Sequence, residues 1–175
     1  MEFLKEKIRS IPDFPKKGII FRDITTLLKD QEAFVTLINE MKDKIKSLKF
    51  SKIVGIESRG FIFGGVLAFE LNKGFVPVRK KGKLPAKTIS AEYQLEYGTD
   101  FLEIHVDAIE KGEKVVIVDD LLATGGTARA VCSLVEKLGG EVEALIFAIE
   151  LEELPGRETL KDYNVISIMK FKESE

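Results

Sequence analysis

Cysteine is almost missing from this sequence. A single residue, Cys132, stands among 175, which excludes an internal disulfide framework and fits a reducing compartment. Histidine is equally scarce. With His105 alone and no Cys/His cluster, a zinc site has no ligand set. An excess of positive charge is also absent. The formal net charge is -2, so no global basic field is available for nucleic acid. Long apolar runs are missing too. The most apolar region, GFIFGGVLAFEL (60–71), breaks at Glu70 and is too short to span a bilayer. The opening MEFLKEKIRS carries acids and no unbroken apolar stretch, so it does not read as a signal peptide. The expectation is a cytoplasmic chain.

What is present suits one globular domain over 1–175, with 45% hydrophobic and 32% charged residues. No repeat or low-complexity tract stands out. Residues 2–11 read as a short helix with Phe3, Leu4, Ile8 and Ile11 inward. The segment after it, punctuated by proline and glycine, is too irregular for one element. Phe34, Leu37, Ile38, Met41, Ile45 and Leu48 recur at helical spacing and predict a helix over 31–48. Strands are expected at 52–56 and 75–79, with a turn and a helix between them. Two alternating segments within 88–106 flank Gly98 and predict a hairpin. KVVIVD is the most hydrophobic strand. A helix follows from about Thr127 and ends at Gly139-Gly140. Two further strands are expected in EVEALIFAIE and NVISIMKF. This alternation predicts an α/β fold, a mainly parallel central sheet flanked by helices. Ligands of such sheets bind at the carboxyl ends of the strands.

The string VVIVDDLLATGGT (115–127) carries the clearest chemistry. A strand over 115–118 is expected to deliver Asp119 and Asp120 to the sheet edge. The small, glycine-paired turn then lets a backbone approach a ligand closely, and the next helix offers unpaired N–H groups to an anion. Carboxylates beside an anion cradle suit a ligand with hydroxyls at one end and a phosphate at the other. No lysine follows Gly126, which excludes a Walker A loop, and the Gly-x-Gly-x-x-Gly fingerprint is absent. Other residues are ambiguous on their own. Phe21 reads as a core aromatic, Arg59 as a helix-start arginine in a surface ion pair, and Arg79, Lys80, Lys81 and Lys83 as a solvated basic turn. Glu96 reads as an exposed hairpin acid, His105 as a strand residue and Cys132 as core.

The string 115–127 resembles the phosphoribosyl-pyrophosphate (PRPP) motif of the type I phosphoribosyltransferases. FPKKGIIFRDITTLL (14–28), GIESRGFIFG (55–64), RKKGKLP (79–85), EYQLEYGTDFLEIH (92–105) and ELEELPGRE (150–158) resemble the adenine-specific members of that family. The resemblance implies transfer of a phosphoribosyl group from PRPP to adenine, giving AMP and pyrophosphate. It implies a small N-terminal base-binding hood within 1–30 and a flexible β-hairpin loop over the site. Asp119 and Asp120 would hold the ribose hydroxyls, while Ala123, Thr124, Gly125, Gly126 and Thr127 wrap the 5-phosphate. Ser58, Arg59, Lys80 and Lys83 would bind pyrophosphate, with the Glu57-Ser58 peptide in cis. Ile20, Phe21, Arg22 and Leu151 would hold adenine.

Glu96, beside Tyr97 and the hinge Gly98, would exchange a proton with the purine ring, and Arg59 and Lys83 would assist at the leaving group. Magnesium (Mg2+) would bind mainly through substrate oxygens, with no dedicated protein ligand. The partners implied are adenine, PRPP and a second copy of the chain in a homodimer, with no nucleic acid and no membrane. Thr26 stands where the family often has proline, which is expected to loosen the hood slightly. Two other readings stay open: transfer to another base such as xanthine, guanine or orotate, and a non-catalytic regulator that senses PRPP on the same fold. The IIFRD segment and Leu151 weigh against the first. The complete EYG loop and the lack of any added DNA-binding segment weigh against the second.

Overall fold

The most hydrophobic segment of the chain lies at the centre of a sheet, in a computed structural model that describes residues 1–94 and 98–172. The elements run α1 (Glu2–Glu6), β1 (Arg9–Ile11), β2 (Phe21–Asp23), α2 (Thr25–Leu28), α3 (Gln31–Ile45), β3 (Lys52–Ile56), α4 (Gly60–Glu70) and β4 (Gly74–Lys80). They continue as β5 (Thr88–Gln94), β6 (Thr99–His105), β7 (Lys114–Leu122), α5 (Gly126–Lys137), β8 (Glu141–Leu151), α6 (Gly156–Thr159) and β9 (Val165–Phe171). Among the described residues the strands form a seven-stranded sheet, ordered β5-β6-β4-β3-β7-β8-β9, and a two-stranded sheet of β1 and β2. β4, β3, β7, β8 and β9 pair in parallel, and the β5–β6 hairpin joins β4 antiparallel.

Both faces of the central strands are buried. Along β7, Val116 and Val118 pack with the α3–α4 layer, whereas Val115 and Ile117 pack with α5. On β8, Ala144, Ile146 and Ala148 face the first layer, and Leu145 and Phe147 the second. Period-two alternation inside an unbroken apolar run is what a sheet with helices on both sides requires. The helix α3 buries Ala33, Leu37, Ile38, Met41 and Ile45. It starts where Asp30 caps it, its carboxylate accepting from the Ala33 N–H at 3.0 Å.

Three expectations need correction. The segment 2–11 is not one helix, because α1 stops at Glu6 and Arg9–Ile11 pairs with Phe21–Asp23. Leu4 and Ile8 are buried, but Phe3 is 37% exposed. The strand carrying the acid pair does not end at Val118. It runs on to Leu122, because Asp119, Leu121 and Leu122 keep pairing with Phe147, Ile149 and Glu150 of β8.

Candidate functional site

The order of the strands creates the cleft. From β3 the chain crosses through α4 to β4 on one side, and from β7 it crosses through α5 to β8 on the other. The β3–β7 border is therefore the point where the winding reverses, and the loops leaving the two strands diverge there. Strand lengths deepen the gap. The pairing of β3 with β7 stops at Gly55–Val118, while β7 continues on its β8 side. Asp119 and Asp120 thus lie on a strand that has lost one neighbour and kept the other.

The α4 helix begins against this pair. A Cβ on Gly60 would stand 2.8 Å from the Val118 carbonyl and 2.9 Å from an Asp119 carboxylate oxygen, so only glycine lets the helix start so close. The Arg59 Nε–H donates to the Asp120 carboxylate. Partial burial disfavours charge on Arg59, but hydrogen bonding to Asp120 and the charges of Asp120, Asp119 and Asp23 outweigh it and raise its pKa. Among the described residues no such cation is bonded to Asp119. Burial, reinforced by the neighbouring charge of Asp120, raises its pKa well above the usual carboxylate range, though its side chain accepts the Asp120 N–H at 2.9 Å. The site therefore holds one neutralised carboxylate and one that is poorly compensated.

Beyond the acids the chain turns through Ala123, Thr124 and Gly125 into α5. Gly125 has φ +82° and precedes the first helical residue, Gly126. A cavity of about 80 Å³, lined in part by Asp119, Ala123, Thr124, Gly125, Thr127 and Phe147, opens here. It lies at the end of α5 where N–H groups lack helical partners and the dipole favours an anion.

On the other side of the cleft, Glu57-Ser58 is a cis peptide, as the family resemblance implies. Glu57 itself was not expected to matter. Its buried carboxylate accepts from Arg79 at 3.0 Å, Lys83 at 2.6 Å and the Lys80 N–H at 2.9 Å. Burial alone would raise its pKa, and these bonds overcome that and bring it to about 2. Glu57 thereby ties the basic turn to the Ser58-Arg59 loop. Lys80 pairs with Asp100 at 3.2 Å, and Lys81 lies over the Phe101 ring. The turn is therefore more than a solvated loop, since Arg79 and Lys83 share Glu57 and Lys80 pairs with Asp100. The signal was a lone acid at the end of a buried strand, immediately before SRG.

The β1–β2 ribbon forms the candidate hood. Phe21 is half-buried and meets Phe14 edge-on at 5.3 Å. The Arg22 side chain is buried, donating to the Ser10 hydroxyl at 2.6 Å and the Lys172 carbonyl at 2.9 Å, with its guanidinium over Phe171. Phe171 is the strand partner of Leu151, so the ribbon is brought to the edge where Leu151 ends β8. Any contact of Arg22 with a ligand in this arrangement falls to its main chain. Asp23 accepts from Thr25 and Arg9, which holds its pKa at about 2. Thr26 does not loosen the hood. Its hydroxyl donates to the Lys7 carbonyl at 2.6 Å and accepts the Arg9 N–H at 3.1 Å, fastening the N-terminal segment.

Glu96 and Tyr97 lie outside the described residues. Gly98 is described, with φ +94°, just before β6. Cys132 is fully buried in α5, and burial pushes its thiol up to about 12, so it is an inert core residue. His105 ends β6 as expected. Among the described residues no group of three or more metal-ligating side chains occurs. The adjacent carboxylates Asp119 and Asp120 fit a hard cation only if substrate and water complete its roughly six oxygens. No described helix is long and apolar enough to cross a membrane.

Comparison with known proteins agrees with this geometry. A family model for the phosphoribosyl transferase domain matches residues 25–174. An adenine phosphoribosyltransferase of Acetivibrio thermocellus is 62% identical over 169 residues, covering 96% of this chain and 99% of that one. Among solved structures, an adenine phosphoribosyltransferase of Thermoanaerobacter pseudethanolicus superposes with a TM-score of 0.95 at 58% identity, covering 97% of this chain and 99% of the other. The enzyme of Saccharomyces cerevisiae, solved with adenine and an imino-altritol bisphosphate, gives a TM-score of 0.88 at 42% identity, over 94% and 95% of the two chains. By its sheet order and its sequence alike, the chain belongs to the phosphoribosyltransferase family and, within it, to the adenine phosphoribosyltransferases.

Proposed function

We propose that the protein transfers the 5-phosphoribosyl group of PRPP to adenine, releasing pyrophosphate and forming AMP. One observation carries the reading: an acid pair at the end of β7 and an anion-sized cavity at the turn that follows it meet at the sheet's switch point, across the cleft from Arg59 and Lys83. The ribose hydroxyls donate to Asp119 and Asp120, and the loop from Ala123 to Thr127 takes the 5-phosphate. Each charge-assisted bond of this kind is worth about 1.5–3 kcal/mol. Arg59 must exchange Asp120 for a pyrophosphate oxygen as substrate enters, which frees Asp120 for the sugar. Ser58 and Lys80 complete the pyrophosphate site.

As the glycosidic bond breaks, positive charge grows at the anomeric carbon and negative charge on the departing pyrophosphate. Arg59 and Lys83 stabilise the latter, and the fixed sugar keeps the carbon in line with the base. Magnesium would bind mainly through substrate oxygens and would supply further charge neutralisation, with Asp119 and Asp120 as the side chains that would meet it. Adenine lies between Phe21 and Leu151, its edge read by main-chain groups of residues 20–22, since a peptide carries both the donor and the acceptor that edge needs. Glu96 exchanges a proton with the purine ring, and closure of the hairpin about Gly98 excludes water. The yeast relative's complex with adenine supports the choice of base. We place the protein in the cytoplasm as a homodimer, with no nucleic-acid or membrane partner.

The test is product identity. Purified protein with PRPP, magnesium and adenine is expected to yield AMP, with guanine, xanthine and orotate much poorer. No AMP from adenine would refute the assignment. Glu96→Gln separates an enzyme from a PRPP sensor. Turnover is expected to fall about 100- to 10,000-fold with PRPP affinity retained, and unchanged turnover clears Glu96 of proton transfer.

A further inference from the structure

We propose that Thr159, on the four-residue helix α6, is a positioning residue for the phosphate loop, turning its carbonyls away from the anion. The inference rests on the reading that Ala123 to Thr127 bind the 5-phosphate. The helix α6 packs directly behind that loop. A Cβ on Gly156 would stand 2.4 Å from the Ala123 carbonyl oxygen, and one on Gly125 would stand 3.0 Å from the Thr159 Cβ. The Thr159 hydroxyl lies 2.7 Å from the Thr124 carbonyl and 3.0 Å from the Pro155 carbonyl, and its one proton goes to the nearer oxygen. Neither Gly156 nor Thr159 lines the cavity, whereas Ala123, Thr124 and Gly125 do. The loop is thus a single layer between α6 and the ligand space.

Peptide geometry gives this arrangement a purpose. The 124–125 peptide is not among the cis bonds, and a trans peptide points its N–H opposite to its C=O. Holding the Thr124 carbonyl toward α6 therefore aims the Gly125 N–H toward the cavity. The Ala123 carbonyl, tight against Gly156, imposes the same sense on the Thr124 N–H. Without the latch, the 124–125 peptide can rotate, since Gly125 tolerates conformations that other residues do not. A carbonyl oxygen turned toward the phosphate would replace a donor with a repelling dipole. Thr159 touches no substrate in this scheme, and acts only through the loop.

The experiment is calorimetric titration of ribose 5-phosphate and, separately, of inorganic pyrophosphate into wild-type protein, Thr159→Val and Thr159→Ser. Valine keeps the shape and removes the hydroxyl, while serine restores it. Ribose 5-phosphate is expected to bind Thr159→Val about three- to tenfold more weakly, with pyrophosphate affinity unchanged, with at most a small fall in Tm because the hydroxyl is exposed, and with serine restoring the loss. Equal affinity of wild type and valine variant for ribose 5-phosphate overturns the proposal. So does an equal loss of pyrophosphate binding, or a serine variant that resembles valine, since either would mean general loosening. Thr127→Ala tests the reading beneath it: if ribose 5-phosphate affinity does not respond there, the phosphate is not on this loop and the proposal falls for that separate reason.

Discussion

The two strand ends that face each other across the cleft solve the problem of buried charge in opposite ways. After β3, Glu57 is surrounded by donors, and its pKa falls to about 2. At the end of β7, Asp119 is buried beside another carboxylate, and its pKa rises. At the first strand end the carboxylate is fully compensated without substrate. At the second it is not, and its deficit is what sugar hydroxyls would remedy. A site of this kind separates a rigid, self-balanced frame from a strained gripping element, with Arg59 bridging the two through Asp120.

Breaking the gripping side should have the largest effect. Asp119→Asn with Asp120→Asn is expected to weaken ribose 5-phosphate binding at least about 100-fold, from the loss of two charge-assisted bonds. Titration reads this directly, and unchanged affinity would place the sugar elsewhere. The single variants sharpen the contrast. Because the folded state disfavours ionised Asp119, Asp119→Asn should raise Tm at neutral pH while lowering affinity. Asp120→Asn should lower Tm, since it leaves the partly buried Arg59 without its carboxylate.

The self-balanced side should respond in stability. Glu57 has a folded pKa below its unfolded value, so its contribution is full above about pH 4.5 and is lost as the pH falls toward about 2. Glu57→Gln is expected to cost about 2 kcal/mol at neutral pH, a figure discounted because Lys83 is half exposed. The difference from wild type should shrink across that acid window in denaturant titrations. A gap that stays constant from pH 6 to pH 2.5 would show that the charge pairs around Glu57 contribute little. The smallest effect is expected at the hood. Thr26→Val should cost about 1 kcal/mol through the lost hydroxyl bonds to the Lys7 and Arg9 backbone, and an unchanged Tm would return Thr26 to the slack role expected from the sequence.

Much of this frame was legible in the residues. β3 was expected at 52–56, where it lies, because an apolar run of that length between polar flanks has few alternatives. The helix over 31–48 is real but ends at Ile45. The pieces that escaped are short and held by tertiary contacts. A three-residue strand such as Arg9–Ile11 carries no period, and its register comes from Phe21–Asp23. The helix α6 is too short to stand alone. The acid pair is legible because two adjacent carboxylates after an apolar run are conspicuous. Glu57 carries no such signal, because a single acid at a strand end is common and its three donors come from 22 to 26 residues away. The family likeness located Arg59 and Lys83 but could not show that each already has an acid as partner.

The unequal reach of β3 and β7 has a consequence for how such a protein can change. The notch that admits the sugar is cut by backbone extent, five residues of β3 beside nine of β7, and not by any particular side chain. The wall that would judge the base is made elsewhere, from the ribbon near the amino terminus and the end of β8. Substitutions in that wall can therefore alter which ring is accepted while the pentose is gripped as before, so that a new acceptor can be tried without rebuilding the donor's seat.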